Sequence, residues 1–342
     1  MWLRRAARWL AGAAIASLLL PVGAACAPSV ERGDGAEGVD ARALLERIQT
    51  AANRSNYRGT LVVSAGNRLS SSRVTHYCVG EQSYEQVEAL DGHTQLVYRH
   101  DDVVQTRWPQ RRLALIETRM PWSGLPSHTQ AVEPRALDGY TLRPQDGDER
   151  VAGRAATVLL LEPRDALRYA ERLWVDRASG LVLRMDVIGE DRRVLESSAF
   201  SEIEIGIKAR PAPLLKAMQA LDGYKVLRSR QRPTALEAEG WAMTAGGVPG
   251  FTLVACVKRP LHAALGTGDG AEVVQAVYSD GVSRVSVFVE RFEPKRHSAP
   301  LAARIGATST IMQRRGDYWL TVMGDVPPAT LERFADALRR RP

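Results

Sequence analysis

The sequence predicts an α+β protein in two parts: a helix followed by a large, curved antiparallel sheet, then a smaller α+β domain. Three observations lead to this prediction. The chain has 342 residues, which is long for one hydrophobic core. Apolar residues first recur at helical spacing and then, from residue 57 onward, at every second position. A proline-containing stretch over residues 207–238 interrupts that alternation.

The first 25 residues have the pattern of a signal peptide. A cationic start precedes the apolar run LAGAAIASLLLPV, and the small residues GAACA follow it. The apolar run is short for a membrane span, which needs about 20 residues. We therefore expect an exported protein that loses residues 1–25, located in the periplasm if the source is Gram-negative.

Cys26 lies where the lipid-modified cysteine of a lipoprotein would lie. Gly23, however, stands three positions earlier, where a large apolar residue is usual. Two interpretations stay open: lipid anchoring at Cys26, or plain cleavage near Ala25 or Ala27. After the leader, Cys78 and Cys256 fall in different predicted domains, which favours two solitary thiols over a disulfide.

The N-terminal domain is predicted over residues 40–206, after a flexible, glycine-rich lead-in over residues 26–39. Asp40 is expected to cap a helix that runs to about Asn53. Strands separated by turn signals follow and indicate an antiparallel meander. Their sequences are TLVVSA, SRVTHYCV, SYEQVEAL, TQLVYRH, VVQTRW, TVLLLEP, YAERLWVD, LVLRMDVI and VLESSAFSEIEIG.

The C-terminal domain is predicted over residues 239–342, and residues 207–238 are interpreted as a linker with a short helix at 213–221. The domain begins near Trp241 and is expected to close with a helix over residues 328–340. That helix has proline at its start and an apolar face made of Leu331, Phe334, Ala335 and Leu338. Trp174, Trp241 and Trp319 lie in strand patterns and are expected in the core.

The stretch AEVVQAVYSDGVSRVSVFVER contains a Ser–Asp pair, Ser279 and Asp280, between two alternating arms. Asp–Gly between such arms is typical of a tight hairpin turn, because glycine adopts positive φ without steric strain. A catalytic serine would need a general base within hydrogen-bond reach. The sequence nominates no such base, so the pair is interpreted as a turn.

Composition and motifs point away from several functional classes. The net charge of +7 is modest and spread along the chain, so no nucleic-acid partner is expected. A weak preference for acidic partners or anionic lipid head groups remains open. The histidines show no metal-ligand spacing, and no nucleophile elbow, phosphate loop or dinucleotide fingerprint occurs. The sequence therefore predicts no cofactor, no metal site and no enzyme.

Trp108 and Trp122 are the candidate binding residues, together with Arg111 and Arg112. Both tryptophans lie in proline-containing stretches, TRWPQRR and RMPWSGLP, outside clean strand patterns. Tryptophan beside arginine is typical of a recognition surface for a partner or a lipid. The alternative, that both tryptophans fold back over a sheet edge, stays open.

Several stretches together resemble the RseB/MucB family of periplasmic sigma-E regulators. The resemblance covers about residues 41–340, in order. Its segments are YEQVEALDGHTQLVYRH, RYAERLWVDRASGLVLRMDVIGEDRRVLESSAFSEIEI, WAMTAGGVPGFTLVACVKRP, VYSDGV and GDYWLTVMGDVPPATLERFADAL. Each motif alone is loose and structural, but the set is specific.

The resemblance implies a half-open antiparallel β-barrel with helical cover at the N-terminus, similar to the lipoprotein carriers LolA and LppX. It also implies binding to the periplasmic part of a membrane-spanning anti-sigma factor, which the family shields from the site-1 protease. Lipopolysaccharide or a lipoprotein acyl chain would release the partner. The alternative functions are a periplasmic lipid or lipoprotein carrier and, less favoured, an exported hydrolase. The oligomeric state, including a homo-oligomer, is left open.

Overall fold

The computed structural model describes residues 40–118, 132–229, 231–244, 247–262, 269–297 and 299–341. The described chain begins with helix α1, Ala41–Arg54. Asp40 caps this helix, since its carboxylate accepts hydrogen bonds from the backbone N–H of Arg42 at 3.1 Å and of Ala43 at 3.2 Å. Leu45, Ile48 and Ala51 are its buried residues. The predicted helix from Asp40 to about Asn53 is confirmed.

The strands of the first part are long and follow one another with short turns. Their bounds are β1 Tyr57–Ala65, β2 Arg68–Val79, β3 Gln82–Ala89, β4 Leu96–His100, β5 Val103–Trp108, β6 Leu113–Thr118, β7 Tyr140–Val151, β8 Arg154–Pro163, β9 Ala170–Asp176, β10 Val182–Ile188 and β11 Val194–Ile205. Helix α2, Pro211–Gln219, and strand β12, Lys225–Ser229, come next. Among the described residues these twelve strands form one sheet, ordered β12-β6-β5-β4-β3-β2-β1-β11-β10-β9-β8-β7. We call it the N-terminal sheet.

Helix α1 covers one face of the N-terminal sheet. Leu45 and Ile48 pack in one cluster with Tyr140, Leu159 and other residues of the strands β7 to β10. These side chains are almost fully buried, and burying each large apolar side chain contributes about 1.5–3 kcal/mol. The helix is therefore held by tertiary packing on the sheet rather than by its own propensity.

Residues 207–238, predicted as a linker, contain α2 and β12. Helix α2 lies close to the predicted 213–221, and its Leu214 packs on Tyr84 and Tyr98. Strand β12 pairs in parallel with β6, with Lys225 opposite Leu113. This segment thus supplies the edge strand of the N-terminal sheet before the chain continues to the second sheet.

The second part is built around a smaller sheet. Its strands are β13 Arg232–Pro233, β14 Trp241–Met243, β15 Thr252–His262, β16 Asp269–Ser279, β17 Arg284–Arg291, β18 Leu301–Ile305, β19 Thr308–Arg315, β20 Tyr318–Gly324 and β21 Leu338–Arg340. In the described chain, seven of them form a sheet ordered β13-β15-β16-β17-β20-β19-β18, which we call the C-terminal sheet. Strands β14 and β21 pair separately.

Helix α3, Pro328–Ala337, covers one face of the C-terminal sheet with Leu331 and Phe334. The predicted end of this helix at residue 340 is wrong. Leu338 is extended and starts β21, where it lies opposite Met243 of β14. Leu338 is still fully buried, so its apolar character reflects the core and not continued helix. Trp174, Trp241 and Trp319 are buried, as predicted.

The predicted fold class is confirmed: the protein is α+β, with an open N-terminal antiparallel sheet covered by helices and a smaller C-terminal α+β part. The parallel pairing of β12 with β6 is a local departure from the antiparallel pattern. No helix within the described ranges is long and apolar enough to cross a membrane.

Candidate functional site

The predicted binding residues Trp108, Arg111 and Arg112 lie in the turn between β5 and β6. Trp108 ends β5 and is half-buried, Pro109–Arg111 form a 3-10 turn, and both arginines are exposed. Arg112 has a φ of 46° and its carbonyl oxygen accepts a hydrogen bond from the Lys225 N–H at 2.7 Å. These candidate binding residues therefore lie where β12 pairs with β6 at the edge of the N-terminal sheet. Trp122 lies outside the described residues.

A polar cluster lies on the sheet face that α1 covers. The Tyr57 ring stacks on the His76 ring, with centroids 5.3 Å apart, and His76 Nδ1 donates to the Ser55 carbonyl oxygen at 2.7 Å. Glu85 lies opposite His76 in the register and is 4% exposed. Burial lowers the pKa of His76 and raises that of Glu85 to about 7. This part of the covered face therefore carries buried polar groups beside an apolar cluster.

The Ser279–Asp280 turn is buried, although hairpin tips are usually exposed. Ser279 is 2% exposed and Asp280 is 3% exposed. The Asp280 carboxylate accepts hydrogen bonds from the N–H of Val282 at 2.9 Å and of Ser283 at 2.7 Å. Ser279 Oγ accepts one from the Gly281 N–H at 3.1 Å. Gly281 has a φ of 96°, so the turn prediction is confirmed.

The second oxygen of Asp280 forms an ion pair with Arg168, which lies in the loop between β8 and β9. Arg168 Nε donates to Asp280 Oδ2 at 2.7 Å, and the two side chains are only 2% and 1% exposed. Arg168 Nη2 also donates to the Pro249 carbonyl oxygen at 2.8 Å. Its guanidinium lies 4.9 Å from the centroid of the Phe251 ring. One arginine of the first part thus bonds to two residues of the second, while its Nη1 pairs with Asp165 of its own loop.

Neighbouring contacts join the same two segments. Leu167, next to Arg168, packs in the core cluster of the C-terminal sheet, and Thr330 Oγ1 donates to its carbonyl oxygen at 2.8 Å. The first part also donates to the second, since the Gly281 carbonyl oxygen accepts a hydrogen bond from the Glu133 N–H at 2.9 Å. A side chain at Gly281 would meet the Ala136 nitrogen at 2.9 Å. We call these contacts around Arg168 and Asp280 the junction.

Further carboxylates are buried beside the junction. Glu171 is 7% exposed, and the negative charges of Asp280, Asp325 and Glu196 act on it. Burial, and then these like charges, raise the pKa of Glu171 to about 8. Burial also raises the pKa of Glu196 and of Asp325. At neutral pH Glu171 therefore holds a proton that an exposed glutamate would have lost.

A cavity of about 460 Å³ is lined in part by residues of the same loop. Its lining mixes both signs of charge, with Asp165, Arg168 and Arg172 on one side and Glu190 and Arg192 on the other. The junction was not predicted from the sequence. Its one visible signal was Leu167, the one large aliphatic residue in the loop PRDALRY.

The two cysteines of the described chain lie in different sheets, Cys78 in β2 and Cys256 in β15. Cys78 is half-buried and Cys256 is buried; both are free thiols, and burial raises the pKa of Cys256 to about 11. Within the described ranges, no three His, Cys, Asp or Glu side chains come together as a metal site. What the buried polar groups of the junction do is hold the N-terminal sheet against the C-terminal sheet.

The fold and the junction define a class: a two-part α+β protein whose halves are joined by a buried ion pair. The sequence model of the MucB/RseB N-terminal domain matches residues 40–218, and that of the MucB/RseB C-terminal domain matches residues 235–339. The chain therefore belongs to the MucB/RseB family.

Individual relatives agree with this assignment. The chain is 29% identical to the sigma factor AlgU regulatory protein MucB of Pseudomonas aeruginosa, over 94% of this chain and 96% of MucB. It is 25% identical to the sigma-E factor regulatory protein RseB of Escherichia coli, over 87% of this chain and 90% of RseB. A solved Pseudomonas aeruginosa MucA/MucB complex matches 89% of this chain and 99% of the matched chain, with a TM-score of 0.66 and 26% identity.

Proposed function

We propose that this protein regulates sigma factor signalling by binding the periplasmic part of a membrane-spanning anti-sigma factor and shielding it from site-1 proteolysis. The observation that carries the proposal is the similarity to MucB solved in complex with the periplasmic region of MucA, which covers 89% of this chain at a TM-score of 0.64. Both halves take part in that similarity, so the proposed partner-binding unit is the whole two-sheet molecule.

The proposed place of action is the periplasm. Residues 1–25 have the sequence pattern of an export signal, and Cys26 offers a position for a lipid anchor if cleavage occurs just before it. The charged, modestly basic composition suits a protein that meets acidic segments or anionic head groups at a membrane surface.

The proposed activity is binding and not catalysis. The Ser279 hydroxyl is engaged within its own turn, and Asp280 is bound by two backbone N–H groups and by Arg168. A nucleophile needs a base in hydrogen-bond reach, and an acid needs access to substrate. Both groups instead contribute to the junction.

We propose that Trp108, Arg111 and Arg112, together with Trp122, contact carboxylates of the partner or phosphates of a lipid. Support comes from the exposure of both arginines beside a half-buried tryptophan in a single turn. Guanidinium groups bind carboxylate and phosphate oxygens with paired hydrogen bonds. Lipopolysaccharide or a lipoprotein acyl chain is the proposed releasing ligand.

The alternative function, a lipid or lipoprotein carrier, would place an acyl chain on the face that α1 covers. That face is occupied by Leu45 and Ile48 of α1 over β7 to β10, and it carries His76 and Glu85 over β2 and β3. An acyl chain gains little against buried polar groups. The regulator is therefore the better-supported proposal.

A binding and protection experiment tests the proposal. The mature protein is titrated into the complete periplasmic region of the membrane anti-sigma factor of the same organism, and site-1 cleavage is then followed. We expect saturable binding and slower cleavage. Replacing Arg111 and Arg112 by alanine should weaken binding, whereas the matched double variant Arg42→Ala with Arg68→Ala, which removes the same charge from α1 and β2, should not.

Absence of binding by the wild-type protein would overturn the proposal that the protein is a regulator. The carrier makes a different prediction: organic extracts of the purified protein would contain stoichiometric acyl lipid by mass spectrometry, and the anti-sigma region would be cleaved at an unchanged rate.

A further inference from the structure

The C-terminal sheet has one face that α3 does not cover. Residues that pack with α3 include Val287 of β17 and Val322 of β20, which lie opposite each other in the register. The next residues along these strands point to the other face. The open face is defined by Phe288 on β17, Met323 on β20, Met312 on β19, and Leu301, Ala303 and Ile305 on β18.

The open face is uncharged. Between its defining residues lie only hydroxyl side chains, namely Ser286, Thr308, Thr310 and Thr321. Charged residues bound it at the ends, with Arg284 at one end and Glu290 and Arg314 at the other. The water-facing side of an antiparallel sheet normally carries polar and charged residues. An exposed face without charge is instead typical of a surface that binds another protein.

Exposure increases toward one edge. Phe288 and Met312 are half-buried, Met323 is 36% exposed, and Leu301 and Ile305 are both 52% exposed. Strand β18 is the last strand in the order of the C-terminal sheet, and all five of its residues are exposed. Its outer backbone groups face no other strand of the described chain.

We propose that β18 is the docking edge for an extended segment of the anti-sigma factor's periplasmic region, which adds to the C-terminal sheet as a further strand. The inference rests on the proposed function and goes beyond it by naming the surface and the form of the bound segment. An added strand satisfies the free backbone groups of an edge, and its alternate side chains extend the existing face.

The face and the edge specify the chemistry of the occupant. Side chains at every second position of the bound segment would lie beside Leu301, Ala303 and Ile305, so they must be apolar. Arg304 points to the opposite side of β18 and is exposed. The neighbouring residue on that side of the segment should therefore be acidic. The occupant is an extended segment with alternating apolar residues and a carboxylate on the other side.

Substitutions on β18 test this assignment with the same periplasmic region as probe. Leu301→Lys and Ile305→Lys place a charge on the open face without touching the core, because both side chains are already half exposed. We expect each to raise the dissociation constant about tenfold or more. Val79→Lys on β2, at a residue that is 43% exposed, is the matched control and should leave binding unchanged.

Hydrogen exchange provides the second measurement. Strand addition should slow amide exchange over residues 301–305 when the wild-type protein is saturated with the periplasmic region. If both lysine variants bind with unchanged affinity and amide exchange over residues 301–305 is also unchanged, the proposed docking edge is wrong, whereas the proposed regulatory function stands. No binding by the wild type would overturn both. A wild-type dimer in sedimentation that the lysine variants convert to monomer, with binding unaffected, would assign the edge to a second copy and overturn the proposed occupant.

Discussion

The Asp280 carboxylate both closes its own hairpin turn and forms a buried ion pair with another loop. One carboxylate oxygen closes its own hairpin turn, and the other binds Arg168 of a loop 112 residues earlier in the chain. Arg168 in turn lies against Gly250, where a side chain would collide with the guanidinium. A buried ion pair adds less stability than its Coulomb energy suggests, but removing one partner leaves the other charge uncompensated.

Replacing Asp280 by alanine should therefore destabilise the protein strongly. We expect the free energy of unfolding to fall by about 3–5 kcal/mol, because Arg168 stays buried and loses one of its two carboxylate partners, and because the turn loses the oxygen that accepts two backbone hydrogen bonds. Ser279→Ala, at the neighbouring position, removes one turn hydrogen bond and should cost about 1 kcal/mol. Urea unfolding of both variants measures the difference. Equal losses would contradict a junction centred on the ion pair.

Glu171 makes the junction sensitive to pH. Its pKa rises from an ordinary 4.5 to about 8 in the folded protein. Between these values the folded state holds a proton that the unfolded state has lost, so stability decreases as pH rises from about 5 to 8. The facing groups Asp280, Asp325 and Glu196 carry the same sign of charge and act in the same direction.

Glu171→Gln should remove this contribution. Relative to wild type, the variant should gain on the order of 2 kcal/mol between pH 5 and pH 8, a discounted part of the limit of about 1.4 kcal/mol per pH unit. Urea unfolding across that range measures the gain. Glu190→Gln, at an exposed position, changes the charge equally and should show no such trend. A parallel pH profile for Glu171→Gln and wild type would show that Glu171 ionises normally.

At the scale of elements, the sequence predicted what local patterns determine. Helix α1 follows from Asp40 and the apolar spacing behind it, and the hairpin around Gly281 follows from Asp–Gly between alternating arms. The end of α3 was missed because Leu338 fits a helical stripe equally well. What ends the helix is pairing with β14, nearly a hundred residues earlier in the chain.

Strand β12 and the junction were missed for the same reason. The run KVLRS is five residues long and follows a polar turn, so only its pairing with β6 identifies it as a strand. The ion pair between Arg168 and Asp280 has no local signature, since each residue alone is typical of a loop. The open face was visible as alternation in β17, but sequence could not show which set of residues α3 leaves uncovered.

At the scale of the whole molecule, the segment that connects the two sheets contributes a strand to each of them. Strand β12 completes the N-terminal sheet, and β13 pairs with β15 of the C-terminal sheet only a few residues later. A connection this short and this well paired keeps the two sheets close together. The junction adds buried contacts between the two sheets, so separation of the halves requires breaking these contacts and not only bending a linker.

This arrangement predicts where the N-terminal part can be cut. A fragment of residues 40–210 lacks α2 and β12 and leaves the edge of β6 unpaired, although Leu113, Ala114 and Leu115 of that strand are buried in the complete chain. A fragment of residues 40–229 keeps both elements. Unpaired apolar edges promote aggregation and lower stability. We therefore expect the longer fragment to melt on the order of 5 °C or more above the shorter one, since each kcal/mol moves Tm by about 2–4 °C at this size.

Both fragments lose the junction and the C-terminal sheet equally, so the comparison isolates β12 and α2. Circular dichroism melts with light scattering measure the outcome, and identical curves for the two fragments would assign this segment to a linker that adds nothing to the sheet.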